Sequence, residues 1–148
     1  MSQDLLVKLI ENDNDLLDIV SLKQADDNEC TGESISEDLA LNKIIRIKDD
    51  GSDFWIAKYE QIPVGYAIGV ILGKSYRSEG IYVSPDYRNK EIGLALKNAQ
   101  IDFARDLGCN EIFSTVAIDN KASIRVQEKA GFRFEPRGAL YIVKLSLR

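Results

Sequence analysis

Val83-Ser-Pro-Asp-Tyr-Arg-Asn-Lys-Glu-Ile-Gly-Leu-Ala-Leu96 is the stretch of this chain whose reading decides the fold. The residues leading into it, Gly80 to Val83, are apolar and β-branched or aromatic, and Pro85 closes them, so they read as a strand. The residues following it change period: Ile92, Ala95, Leu96, Ala99, Phe103 and Leu107 form a helical stripe that Gly108 stops. Glu111 to Ile118 is another strand. Strand, helix, strand is a βαβ unit, so the two strands should be parallel neighbours joined by a right-handed crossover. Its helix starts at the carboxyl end of the first strand, where unpaired N–H groups and the positive end of the helix dipole suit an anion. Arg88 and Lys90 stand just before that helix, and Gly93 lies in its first turn, where the lack of a side chain lets a ligand reach the backbone.

Working outward, Leu5 to Ile10 reads as an edge strand, and Leu16, Leu17 and Val20 favour a first helix that the acidic run Asp26-Asp-Asn-Glu29 should end. Ser34-Ile-Ser-Glu37 has capping-box spacing and predicts the start of a second helix, broken at Asp49-Asp-Gly51. Phe54 to Glu60 and Ile62 to Leu72 are two more strands. Beyond the βαβ unit, Asn120 to Ala130 is a helix capped by Gly131. Phe132 to Glu135 and Leu140 to Leu147 make a final strand pair.

The 148 residues, 45% hydrophobic and 29% charged, show no repeat or linker, so residues 1–148 should form a single α/β domain. A net charge of −5 argues against a surface built to neutralise nucleic-acid phosphates. The absence of histidine excludes an imidazole base and any zinc site with a histidine ligand, and no metal is expected. Cys30 and Cys109 form no C-x-x-C and read as free thiols of a reducing compartment. The charged first twenty residues leave no signal-peptide core, and the longest apolar stretch, Val64 to Gly73, is about half of a membrane span, so a cytoplasmic protein is expected. Edge strands at both chain ends leave room for a homodimer.

Val83-x-Pro-x-Tyr-Arg-x-Lys-x-Ile-Gly-x-x-Leu96, then Ala104-x-x-x-Gly108, Val116-x-x-x-Asn120 and Glu128-Lys-x-Gly-Phe132, resembles the GNAT N-acetyltransferase superfamily. The resemblance implies a mixed, splayed β-sheet of about six to seven strands flanked by about four helices. It further implies acetyl-CoA as cosubstrate and direct transfer of the acetyl group to a primary amine of a small molecule or protein. Carried over by position, the backbone of Ile81, Tyr82 and Val83 would pair with the pantetheine arm. Arg88, Asn89, Lys90, Glu91, Ile92, Gly93 and Leu94 would cradle the pyrophosphate. Asn120 would bond the cosubstrate where the parallel strands diverge, and it equally suits the N-cap of the next helix.

Two positions depart from that pattern. Family members usually carry glycine at position 91, whereas Glu91 brings a negative charge to the phosphate loop. Many carry tyrosine at 127 as the acid for the departing thiolate, and Gln127 cannot serve. Without histidine the base must be a carboxylate, for which Glu79 is best placed, and Tyr141 is the substitute acid. Both residue types also occur as ordinary turn and core residues. The connection between the first two helices, Asp26 to Glu33, holds four carboxylates and predicts a cationic acceptor, small molecule or peptide. The alternative is a CoA or acyl-CoA binding module with weak or lost catalysis, which Gln127 and Glu91 favour.

Overall fold

The computed structural model describes residues 4–148. One mixed sheet runs in the order β1-β2-β3-β4-β5-β7-β6. Its strands are β1 (Leu5–Leu9), β2 (Asp53–Tyr59), β3 (Ile62–Leu72), β4 (Ser75–Val83), β5 (Glu111–Ala117), β6 (Arg133–Arg137) and β7 (Leu140–Ser146). Four helices flank it: α1 (Asp13–Thr31), α2 (Glu37–Asp49), α3 (Ile92–Asp106) and α4 (Lys121–Lys129), with a short 3-10 turn at Pro85–Tyr87. This is the splayed α/β architecture expected, with seven strands and four α-helices.

Both faces of the sheet are covered, which is why β2 reads as an unbroken apolar run rather than an alternation. Phe54, Ile56, Tyr66 and Tyr82 pack against Ile19, Val20, Ala40 and Ile44 of α1 and α2. The intervening Trp55, Ala57 and Ala67 face Ile92 and Leu96 of α3. Further along, Tyr76, Ile112, Val116 and Val143 pack on Ile101, Ala104 and Phe132. Gly69 is needed where the Tyr76 phenol lies against its α-carbon, with no room for a Cβ. That phenol is fixed by a 3.0 Å hydrogen bond donated by the Trp55 indole.

The parallel pair is short. β4 and β5 are in register only from Ser75–Arg77 to Glu111–Phe113, and beyond that they separate. β4 also slips against β3 between Ile68 and Gly69, so that Ser78 pairs with Gly69 and Gly80 with Ile68, leaving Glu79 bulged. The strand therefore begins five residues before Gly80, where the sequence reading started it. Tyr76 and Ser78 point inward, and the polar residues around them, Ser75, Arg77 and Glu79, hid the alternation.

Three further boundaries differ from expectation. α1 does not end at the acidic run but carries it in its last turns, because the run is neutralised: Lys23 and Lys43 pair with Asp27 at 3.1 and 2.9 Å. Tyr66 donates to Asp26, and Arg88 pairs with Glu29 at 2.7 Å. α2 is capped by Ser36, which accepts from Leu39 N–H, rather than by Ser34, since the Gln24 amide holds the Ile35 carbonyl and keeps that lead-in extended. The sheet edges are β1 and β6, so β7, expected at an edge, is an inner strand between β5 and β6.

Candidate functional site

The βαβ geometry leaves a cleft at the carboxyl end of β4. A cavity of about 630 Å³ opens there between the end of β4, the start of α3 and the outer face of α4. It is lined by Ile81, Tyr82, Val83, Arg88, Asn89, Glu91, Ile92, Gly93, Leu94 and Asn120, so the structure brings together ten of the eleven expected binding residues. Lys90 is the exception: its ammonium lies over the Tyr87 ring, 5.8 Å from the centroid, and it does not border the cavity.

The helix start is suited to a phosphate. Glu91 is the N-cap of α3 and makes no side-chain cap bond, so the first N–H groups keep no side-chain acceptor. A Cβ on Gly93 would meet Val126, Ile81 and Val83 at 3.4 to 3.9 Å, filling the cradle between helix and strand. Asn120 caps α4 by accepting from Ser123 N–H at 3.2 Å, and it also lines the cavity, so both roles open to it in the sequence coexist.

Charge in the cavity is balanced by ion pairs. Arg88 donates through Nε to the Val83 carbonyl at 2.9 Å and reaches the Glu29 carboxylate on α1. Tyr82 donates toward the same carboxylate at 3.5 Å. Burial, and then Glu29, raise the Tyr82 hydroxyl pKa. Lys129 on α4 pairs with Glu91 at 2.8 Å and holds its carboxyl below the ordinary range. Arg125 adds a further cation to the lining.

Glu29, Arg125 and Lys129 were not singled out from the sequence. Lys129 sits in the quoted Glu128-Lys-x-Gly-Phe132 block, and Glu29 in the acidic run, but only the packing of α1 and α4 against the cleft shows them to be neighbours of Arg88 and Glu91. Neither residue given a catalytic role borders this cavity. Glu79 lines a smaller one of about 220 Å³ on the α2 side, with Asp50, Ser52 and Arg77. Tyr141 stacks edge-on against Phe134, 5.4 Å between centroids, on the strand beside β5. Among the described residues no helix is long and apolar enough to cross a membrane.

Fold and cleft together define the class. Residues 16–132 match the Acetyltransferase (GNAT) family, and the chain belongs to it. Among curated proteins it is similar to the aminoglycoside N(6')-acetyltransferase type 1 of Klebsiella aerogenes, 34% identical over 89 residues, 60% of this chain and 57% of that protein. The chain spans about half the length of the curated relatives it matches. Among solved structures it is similar to the PaiA N-acetyltransferase of Thermoplasma acidophilum in complex with coenzyme A, with a TM-score of 0.75, 19% identity and 99% of both chains covered. It is also similar to yncA of Salmonella typhimurium with its cofactor acetyl-CoA, with a TM-score of 0.75, 17% identity, and 99% of this chain and 95% of that one covered.

Proposed function

We propose that this chain moves an acetyl group from acetyl-CoA to a primary amine in a direct ternary complex, and that the amine belongs to a cationic small molecule or peptide. The observation that carries the cosubstrate is the uncapped start of α3 beside Gly93 and Arg88, opening into a cavity of about 630 Å³. An anion there meets N–H groups, a guanidinium and the helix dipole. The unpaired edge of β4 beyond Arg77 supports the pantetheine role given to Ile81, Tyr82 and Val83.

The acceptor's charge follows from α1. Its last turns present Asp26 toward β3 and Glu29 toward β4 and the cleft. Carboxylates with tyrosine hydroxyls beside them favour an ammonium, both in attraction and in hydrogen bonding. The aminoglycoside substrate named for the Klebsiella relative has that chemistry, so aminoglycosides join polyamines and lysine-like peptides as the acceptors to try.

The chemistry requires an uncharged attacking amine, stabilisation of the carbonyl oxygen and a proton for the leaving thiolate. Holding both reactants in one cleft supplies several kcal/mol of the barrier by itself. The base and acid roles first given to Glu79 and Tyr141 gain no support from the cavity lining. Gln127, buried where a tyrosine acid would stand, favours the second reading, a CoA-binding module with little catalysis. Calorimetry with CoA, followed by a thiol-release assay across cationic, neutral and anionic amines, separates the readings. CoA binding with release faster for cationic amines supports transfer to a cation. Binding without amine-dependent release supports the module, and no binding removes both.

A further inference from the structure

Five of the buried polar side chains, Ser78, Lys97, Gln100, Ser114 and Gln127, collect on the α3 and α4 side of the sheet where β4 and β5 separate. Ser78 is the first β4 residue past the last parallel pair, and Ser114 the first on β5. Ser114 lies between Ile112 and Val116, which pack on α3. The fork is thus lined with hydrogen-bonding groups at a depth where the rest of the interior is apolar.

Lys97 is the unusual member. It is 1% exposed and sits one helical turn beyond Gly93, on the same face of α3. Its ammonium donates to Ser78 Oγ at 2.7 Å and lies 5.3 Å from the centre of the Phe132 ring. Ser78 in turn donates to Gln100 Oε1 at 2.7 Å, and Gln100 is anchored on the Ile68 carbonyl at 3.1 Å. That chain of bonds fixes the direction of the ammonium.

No carboxylate pairs with Lys97 among the described residues. Arg125, Glu128 and Lys129 of α4 are exposed, Glu111 of β5 accepts from Ser75, and the Tyr76 hydroxyl of β4 is taken by Trp55. Burial alone brings the Lys97 pKa down to about 7. Across from it, Gln127 is the one fully buried side chain of α4, and its Oε1 has no hydrogen-bond partner. Its main-chain oxygen receives the N–H of Phe132, the same residue whose ring underlies Lys97. A buried cation without a counter-ion and a buried acceptor without a donor both cost stability, and each calls for an explanation.

The direction of the cleft supplies one. If the pyrophosphate lies at Arg88 to Gly93 and the arm runs back along β4 from Val83 to Ile81, where the cavity lining ends, its sulfur end points on toward Gly80 and Ser78, whose hydroxyl holds the buried Lys97 ammonium just beneath that lining. We propose that Lys97, held by Ser78, is the catalytic acid that protonates the departing thiolate, the role Gln127 cannot fill. The proposal rests on acetyl-CoA being the acyl donor. The amine nitrogen forms the C–N bond at the thioester carbonyl, and the C–S bond breaks with its electron pair going to sulfur. The Lys97 proton passes to that sulfur, giving free CoA thiol. The proton released by the new amide nitrogen recharges the neutral Lys97 through solvent, so protons balance over the cycle.

The test uses the complex with CoA, the thiol product, and needs no turnover. Wild type and Lys97→Met are titrated with pH, and the ultraviolet thiolate band of bound CoA is read against the complex with desulfo-CoA. An ammonium beside the sulfur raises the thiolate fraction, and burial leaves Lys97 charged only up to about pH 7, so near that pH the wild type should show the band several-fold above Lys97→Met, with the difference fading above pH 8. Lys97→Met should also melt higher, because a buried uncompensated charge is gone. It should lose about 100-fold in kcat with CoA affinity within twofold. Ser78→Ala, which leaves the ammonium unheld, should fall between the two in thiolate fraction and keeps the test open should Lys97→Met not fold. Equal calorimetric binding of CoA with equal thiolate bands in all three proteins would overturn the role of Lys97 alone. No binding of CoA by the wild type would overturn the acyl donor itself, and this proposal with it.

Discussion

Glu91 and Lys129, on the first turn of α3 and the last of α4, form an ion pair of 2.8 Å across the mouth of the cleft. Read from the sequence, Glu91 opposes a pyrophosphate. In the structure its charge is already matched, and its carboxyl pKa is lowered by the same lysine. Its backbone is left-handed, at φ 63°, where glycine is the easier residue and the family's usual choice. The pair therefore costs the cleft a cation as well as adding an anion. Glu91→Gln frees Lys129 to face a phosphate and removes the opposing charge, so CoA should bind several-fold more tightly by calorimetry. The gain should shrink as salt rises, because both groups are exposed. A gain that ignores ionic strength would assign the effect to packing instead.

Gly93 offers a cleaner test of where the cosubstrate lies. A methyl there would meet Val126 at 3.4 Å and Ile81 and Val83 slightly further, contacts that a protein accommodates with small shifts. Gly93→Ala should therefore stay folded and weaken CoA binding modestly, about tenfold at most. Gly93→Glu puts a chain and a negative charge into the cradle and should abolish detectable binding with the fold intact by circular dichroism. Unchanged affinity in Gly93→Glu would place the cosubstrate elsewhere.

The βαβ unit, its parallel pair and the cleft at its carboxyl end were legible because each rests on local signals, namely the change of period at Ile92, the stop at Gly108 and the glycine at 93. The buried polar fork was not legible. Lys97 and Gln100 interrupt the α3 stripe as two ordinary helix-surface residues would, and Ser78 falls in a polar run that masked the start of β4. Only tertiary packing shows that the three touch. The acidic run misled for a related reason: four carboxylates read as a loop until Lys23, Lys43 and Arg88 are seen to neutralise Asp27 and Glu29, and Tyr66 to donate a hydrogen bond to Asp26, all but Lys23 distant in sequence. Lys90 shows the converse, since its place in the motif was clear and its direction, over Tyr87, was not.

Glu29 ties the two halves of the proposed reaction together. It holds the Arg88 guanidinium at 2.7 Å while lining the cavity beside Tyr82. A phosphate that claims Arg88 releases this carboxylate toward the acceptor. Glu29→Gln should then tighten CoA binding a few-fold, since Arg88 no longer has to leave a partner. It should also raise KM for a cationic acceptor while leaving KM for a neutral amine unchanged. A KM that rises equally for both acceptors would mean the residue shapes the cleft without reading charge.

Asp15 governs how the fold answers acid. Its side chain is 2% exposed; Oδ2 accepts from Glu11 N–H at 2.9 Å and pairs with Lys8 at 3.1 Å, while Oδ1 pairs with Lys58 at 3.2 Å. Burial pushes its pKa up, but the Glu11 hydrogen bond and the two lysines outweigh burial and hold it below the ordinary value of 3.8. The folded pKa lies under the unfolded one, so the ionised form is the stabilising one. Its contribution is complete above the unfolded pKa and is lost as pH falls through the folded pKa. Asp15→Asn removes the buried carboxylate that Lys8 and Lys58 share, leaving Lys8 with Glu11 at 3.6 Å and Lys58 with Asp18 at 3.0 Å, and should cost about 2 to 4 kcal/mol at neutral pH. At this chain length that is roughly 4 to 16 °C in Tm. The gap between the two proteins in thermal melts should hold from pH 7 to about 5 and narrow steadily below about 4, as the wild type gives up the same charge. A gap that stays constant down to pH 2 would mean that Asp15 stabilises α1 by its hydrogen-bonding shape rather than by its charge.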